Sequence, residues 1–181
     1  MKSQIIMSTS TKNIADLIHD KSISVVSDMN SSYLNDKEEF FFASEFIFYL
    51  FSLLAFNCMK EKLRSKEFIM NIEKEIISTH KKTAKQKNLK VNKEIIRNRF
   101  SAYRFIEANN EEMKGLKSED MFLYLVKKNK KKNDFFLIEN FNSLSFTDLR
   151  PRDYFKVVLF NKCRASLSLV VEDILGDLEG S

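Results

Sequence analysis

The stretch that decides the fold is FFFASEFIFYLFSLLAFNCM, residues 40–59. It is long enough to span a bilayer, because a spanning helix needs about 20 mostly apolar residues. Its strictly apolar part, residues 46–56 with one serine, has only about half that length, and a carboxylate at Glu45 is costly in hydrocarbon. We therefore interpret residues 40–59 as a buried helix of a water-soluble protein. Membrane association through the same stretch is kept as an alternative.

Three polar residues in this stretch fall on one helical face. Glu45, Tyr49 and Ser52 stand at positions i, i+4 and i+7, so they form a polar seam along an otherwise apolar helix. The apolar surroundings of Glu45 are expected to raise its carboxyl pKa, which can mark a functional site. The alternative is a structural carboxylate that accepts a hydrogen bond from a tyrosine or pairs with a basic side chain.

Composition favours a folded, helical chain. Of the 181 residues, 44% are hydrophobic and 30% charged, which excludes bulk disorder. Only three glycines and one proline interrupt the sequence, and their scarcity favours long helices joined by polar loops. We predict a mainly α fold, a single-domain bundle of five or six helices over residues 12–178. Residues 1–11 are interpreted as a loose N-terminal leader without the apolar core of a signal peptide.

Hydrophobic periodicity predicts the first three helices. They are expected over residues 12–29, with a break near 22–24, over residues 36–64, and from an N-cap at Ser65 onward. Residues 81–90 are strongly polar and are predicted to form a loop. The third helix buries one face, made of Phe68, Ile69, Ile72 and Ile76.

Two further helices are predicted towards the C-terminus. Asn92 is expected to cap one that ends near Gly115, and Pro151 to begin a last one that stops at Gly176. The last helix is apolar on most sides, which indicates a central position or a protein partner. The buried stripe of the Asn92 helix is Ile95, Ile96, Phe100, Tyr103 and Ile106.

Residues 121–141 leave two alternatives open. Two short runs, 122–126 and 135–141, are aromatic and β-branched and flank the polar stretch KKNKKKND, which favours a small β-hairpin. The alternative is a short helix capped by Ser118.

Basic residues concentrate in two segments, 80–104 and 127–132. The first holds six lysines and three arginines against one acid, and the second holds five lysines. Such segments can contact the phosphates of a nucleic acid or another anionic surface, although the net charge is only +5 and basic loops are often merely solvated. The candidate contact residues are Lys93, Arg97, Arg104, Lys130 and Lys131.

Residues with metal or nucleophilic chemistry lack the neighbours that such chemistry needs. His19 and His80 have no ligand at metal-binding spacing and are expected at the surface or at helix caps. Cys58 and Cys163 lie in apolar segments without a local base, so they are predicted to be buried thiols in a reducing compartment, the cytoplasm or a host cytosol. We predict no catalytic residue, cofactor, metal or small-molecule substrate, and no enzymatic activity.

These observations together favour a protein-interaction module. Phenylalanine is heavily used, with 17 residues, and two helices are more apolar than one small core requires. The expected function is that of an adaptor, chaperone-like subunit or inhibitor that buries apolar helical surface against a protein partner or a second copy. The first alternative is a nucleic-acid-binding regulator that uses residues 80–104 and 127–132, and the second is membrane association through residues 40–59.

Overall fold

The protein is built from long α-helices. The computed structural model describes residues 10–30, 34–91, 93, 96, 97, 99–101, 103 and 151–180, with the side chains of the last stretch described from residue 158 onward. Four helices are complete: α1 (Thr11–Met29), α2 (Asp36–Lys60), α3 (Lys66–Gln86) and α4 (Pro151–Glu179). A further helical stretch, here called the Arg99 segment, comprises Lys93, Ile96, Arg97, Arg99, Phe100, Ser101 and Tyr103.

The predicted fold class is confirmed, because the molecule is a mainly helical bundle. All regular structure within the described ranges is α-helical. The hairpin predicted for residues 121–141 and the alternative Ser118 helix both lie outside the described residues, as do the Asn92 cap and Gly115. The extent of the single domain stays a prediction.

Helix α2 is the centre of the bundle. Every residue from 42 to 52 is buried, and α1, α3, α4 and the Arg99 segment supply the covering side chains. Aromatic rings carry much of this packing: Phe46 stacks on Phe160 of α4 with centroids 5.3 Å apart, and Phe51 meets Phe100 at 4.7 Å. Edge-to-face and offset ring pairs of this kind contribute beyond their buried area.

Most of the apolar surface of α2 is therefore covered by other parts of the protein. Among the described residues α2 is the one helix long and apolar enough to cross a membrane, and 78% of its most apolar window is buried inside the bundle. This burial favours the core interpretation of residues 40–59, while the membrane alternative stays an untested prediction.

Side-chain caps fix where the helices begin. Ser10 and Ser65 each accept a hydrogen bond from the backbone three residues on, which confirms the predicted cap at Ser65. Asn35 forms a capping box with Glu38, since its side chain accepts from the Glu38 backbone and its own backbone donates to the Glu38 carboxylate. These caps satisfy backbone donors that the first helical turn leaves without partners.

Two helices end on left-handed residues that are not glycine. Lys62 has φ 54° and Asn88 has φ 55°, and each is followed by a leucine whose backbone N–H reaches back five residues. Leu63 donates to the Cys58 carbonyl at 3.0 Å and Leu89 to the Ala84 carbonyl at 2.8 Å. This is the Schellman arrangement, in which glycine is the usual left-handed residue.

Four predicted helix limits are wrong. Helix α1 runs unbroken through residues 22–24, where the Ser22 hydroxyl donates to the Ile18 carbonyl at 2.7 Å. Helix α2 ends at Lys60, before the left-handed Lys62, and not at residue 64. Helix α4 passes through Gly176 to Glu179, because the buried Leu178 gives its last turn a contact with the core.

The fourth error concerns the first part of the predicted loop 81–90, since only residues 87–90 are non-helical. Helix α3 continues to Gln86, and its buried face extends through His80 and Ala84. Lysine, glutamine and alanine are all good helix formers, so two buried contacts one turn apart are enough to prolong the helix through a polar sequence.

Candidate functional site

The longest described helix, α4, leaves one side exposed to solvent, and two large apolar side chains lie on that side. Its inner face is buried in the bundle through Phe160, Cys163, Leu167, Val171, Ile174 and Leu178. On the opposite side Val158 is 43% exposed and Leu169 is 56% exposed. Among the described residues Leu169 is the most exposed large hydrophobic side chain, so the apolar excess predicted for this helix does reach the surface.

Six residues on the exposed side of α4 form two columns with seven-residue spacing. One column is Val158, Ala165 and Glu172, and the other is Lys162, Leu169 and Gly176; all six are exposed. Residues seven apart lie almost above one another on a helix, because seven residues make nearly two turns. We call these six residues the outer ridge of α4. Space is open at Gly176, where a Cβ would meet no atom within 4 Å.

A second exposed feature is a cluster of lysines at the C-terminal end of α3. Six lysines and no acid occur between residues 81 and 93, and each of the six side chains is exposed. We call this cluster the basic turn; its members are Lys81, Lys82, Lys85, Lys87, Lys90 and Lys93. The left-handed Asn88 reverses the chain here, so lysines of α3 and of the following turn share one end of the bundle.

Two of the five predicted basic contacts, Lys93 and Arg97, lie within the described residues. Lys93 and Arg97 are exposed, and Arg97 Nε lies 3.7 Å from Glu73 Oε1 of α3. Arg104, Lys130 and Lys131 lie outside the described residues, so the predicted stripe is described only in its first two members. The lysines of the basic turn that precede residue 93 were not singled out individually, although the absence of acids around them was the available signal.

Glu45 is fully buried and has both of the partners that the structural alternative offered, a tyrosine and a basic side chain. The Tyr103 hydroxyl donates to Glu45 Oε2 at 3.0 Å, and Arg99 Nε forms an ion pair with Glu45 Oε1 at 3.1 Å. Burial raises the pKa of Glu45, against the opposing effects of the Arg99 charge and the Tyr103 hydrogen bond. Burial also raises the pKa of Tyr103, which the neighbouring Glu45 charge raises further.

The rest of the polar seam faces the same segment. Tyr49 meets the Tyr103 ring edge-on at 6.0 Å, and the Ser52 hydroxyl lies 2.8 Å from the Phe48 carbonyl and 3.4 Å from the Phe100 carbonyl. The predicted seam is thus the surface of α2 on which the Arg99 segment packs. Arg99 itself was missed, although it stands four residues before Tyr103 and so shares its helical face.

Both histidines are buried, so their predicted surface or capping positions are wrong. His80 of α3 stacks on Phe40 at 5.0 Å, meets Phe48 edge-on at 5.5 Å and lies 6.0 Å from His19 of α1. Burial, with a smaller effect of His19, lowers the pKa of His80 to about 3, so the ring is neutral at ordinary pH. The neutral imidazole packs among these aromatic rings, and neither of its nitrogens has a hydrogen-bond partner among the described residues.

The thiols are buried, as predicted. Burial raises the pKa of Cys58 to about 11 and that of Cys163 to about 12, far from the low values of nucleophilic thiols. Within the described ranges no group of three or more histidine, cysteine or acidic side chains could hold a metal ion.

Comparison with known proteins gives no match to a protein-family model, to a curated protein or to a solved structure. The charge, burial and shape of the described residues are therefore the observations that bear on function. Two exposed features qualify as candidate sites, the outer ridge of α4 and the basic turn. The Glu45 and His80 clusters are enclosed by other side chains and hold helices together.

Proposed function

We propose that this protein is a helical protein-interaction module that binds a protein partner through the outer ridge of α4. The observation that carries the proposal is the exposure of Leu169 and Val158 on one side of a helix whose other side is firmly packed. A helix that places exposed apolar side chains in a groove of another protein is a recurring mode of protein recognition. Burying one leucine contributes about 2 kcal/mol, so a short ridge can anchor a partner helix.

The chemistry of the buried groups is consistent with a binding role in a reducing compartment. Cys58 and Cys163 are free, and burial keeps both as thiols. We accordingly propose a cytoplasmic protein, or one that acts in a host cytosol, without enzymatic activity.

Site-specific photo-crosslinking tests the proposal. A benzophenone amino acid replaces Ser166, which is exposed on α4 beside Leu169, and in a matched control it replaces Ser78, which is exposed on α3. In native lysate we expect a discrete adduct from position 166 that Leu169→Lys abolishes, and none from position 78. Equal labelling at both positions, or an adduct that survives Leu169→Lys, contradicts a protein-binding ridge.

The basic turn supports a second candidate function, the binding of a nucleic-acid backbone. Six exposed lysines without an interspersed acid give a local positive charge far denser than the +5 of the whole chain implies. Phosphate contacts of this kind strengthen as salt falls, because binding releases condensed counterions.

Titration of labelled RNA and DNA at two salt concentrations tests this candidate. The triple variant Lys82→Glu, Lys85→Glu and Lys90→Glu replaces three of the six positive charges of the basic turn with negative ones. It is expected to lower the affinity for nucleic acid at low salt at least tenfold. It should also reduce the slope of log affinity against log salt by roughly 2 to 3. The matched control reverses three exposed lysines elsewhere, Lys21, Lys37 and Lys60. Equal losses of affinity in both triple variants would show that the effect comes from net charge and not from a binding site at the basic turn.

A further inference from the structure

The outer ridge of α4 is complementary to itself when a second copy runs in the opposite direction. In an antiparallel pair of helices centred on position 167, residues whose numbers sum to 334 share a layer. Ala165 then meets Leu169 of the second copy, Lys162 meets Glu172, and Val158 meets Gly176. In each layer a small residue faces a large one, or a positive charge faces a negative one.

The column arrangement gives this pairing its geometry. Antiparallel helices with heptad spacing interlock so that a residue of one column sits beside a residue of the partner's other column in the same layer. The ridge has one column of Val158, Ala165 and Glu172 and one of Lys162, Leu169 and Gly176. A two-fold axis between the copies therefore produces each of the three contacts twice. Isologous contacts of this type close at two copies.

In a parallel pair of α4 helices, each residue of the outer ridge would lie beside the same residue of the second copy. Lys162 would lie beside Lys162 of the second copy and Glu172 beside Glu172, with no small residue opposite Leu169. Like charges in contact oppose association, so the charge order along the ridge selects the antiparallel direction.

We propose that the partner of the outer ridge is a second copy of this chain, and that the protein forms an antiparallel α4–α4 homodimer. The inference rests on the proposed function, since it names the partner of the same ridge. The contact spans about 27 Å of helix, from residue 158 to 176 at about 1.5 Å per residue. One helix pair buries less surface than a standard interface of about 1,600 Å², so the dimer dissociates on dilution.

Charge reversal tests the pairing, with sedimentation velocity over a concentration series of the full chain as readout. Lys162→Glu places two acids in each charged layer and Glu172→Lys places two lysines there, so each single variant is expected to weaken dimerisation at least tenfold. The double variant restores opposite charges and should dimerise like the wild type. A one-to-one mixture of the two single variants should form a heterodimer, because every charged layer again holds one acid and one lysine.

These residues are exposed, so thermal melts of all four proteins should agree at concentrations low enough that each is monomeric, which separates a folding defect from an interface defect. A wild-type chain that is monomeric throughout the series overturns the homodimer, and so do single variants that dimerise normally or a mixture that stays monomeric. The homodimer and the proposed function can be told apart. If the chain is monomeric but still gives a Leu169-dependent adduct with another protein from position 166, the homodimer is refuted and the protein-binding ridge is retained.

Discussion

The effects of replacing Glu45 and Arg99 on the free energy of unfolding are expected to be strongly coupled. Both side chains are out of solvent, at 0% and 3% exposure, and their charged atoms are 3.1 Å apart. With an effective dielectric constant of about 20, Coulomb attraction at this distance is about 5 kcal/mol, most of which offsets desolvation of the two groups. Removing one partner leaves the other charge buried without compensation.

Four proteins measure the coupling: the wild type, Glu45→Gln, Arg99→Met and the double variant. Each single change is expected to lower the free energy of unfolding by about 3–5 kcal/mol. The double variant should lose at least about 2 kcal/mol less than the sum of the two, because it leaves no isolated charge. Urea unfolding followed by circular dichroism at neutral pH gives the four values.

A partly exposed ion pair provides the control. Arg97 Nε lies 3.7 Å from Glu73 Oε1, and the two side chains are 51% and 16% exposed. The same substitutions there, Glu73→Gln and Arg97→Met, are expected to show coupling below about 1 kcal/mol, as exposed ion pairs do. If the Glu45 and Arg99 effects add within about 0.5 kcal/mol, the buried ion pair does not hold the Arg99 segment on α2 and the reasoning is refuted.

Three further predictions follow from burial and backbone geometry. Because the pKa of His80 is about 3 in the folded state and about 6.5 unfolded, the unfolded state binds more protons between these values, and stability falls as pH drops through this window. From pH 7.5 to 4.5 the wild type should lose about 2.5 kcal/mol more than His80→Leu in urea titrations, and parallel pH profiles would contradict a neutral buried ring. Lys62→Gly is expected to raise the unfolding free energy by about 0.5–1 kcal/mol, because glycine adopts φ 54° without strain, whereas Lys60→Gly at the last helical residue of α2 should lower it; a loss in both variants would argue against the left-handed cap. At pH 8 the thiols of Cys58 and Cys163 should react with a disulfide reagent on the order of a hundredfold more slowly in native than in urea-unfolded protein, and similar rates would show that they are accessible.

Local signals predicted the parts of this fold that depend on neighbours in sequence. The cap at Ser65, the start of α2 at Asp36, the start of α4 at Pro151 and the burial of most of residues 40–59 are all present. Each depends on contacts within a turn or on summed apolar character. The helix ends were predicted less well, because Leu178 and Ala84 extend α4 and α3 through contacts with other helices.

The site residues divide in the same way. The sequence predicts a special role for Glu45 because a carboxylate in an apolar run needs a partner. Its partners, however, come from a segment more than fifty residues away. His80 was misplaced for the opposite reason: its sequence neighbours are polar, and only α1 and α2 supply the rings that enclose it.

The amino-acid sequence by itself determined that this chain is helical, that residues 40–59 are its most apolar stretch and that basic residues are concentrated in residues 80–104, since these are properties of composition and of spacing within one element. Only the tertiary structure decided which face of α4 is left in solvent, which arginine neutralises Glu45 and which histidine is enclosed by aromatic rings. Exposure is a relation between elements: the same apolar helix is core on the side that its neighbours cover and a binding surface on the side that they leave open.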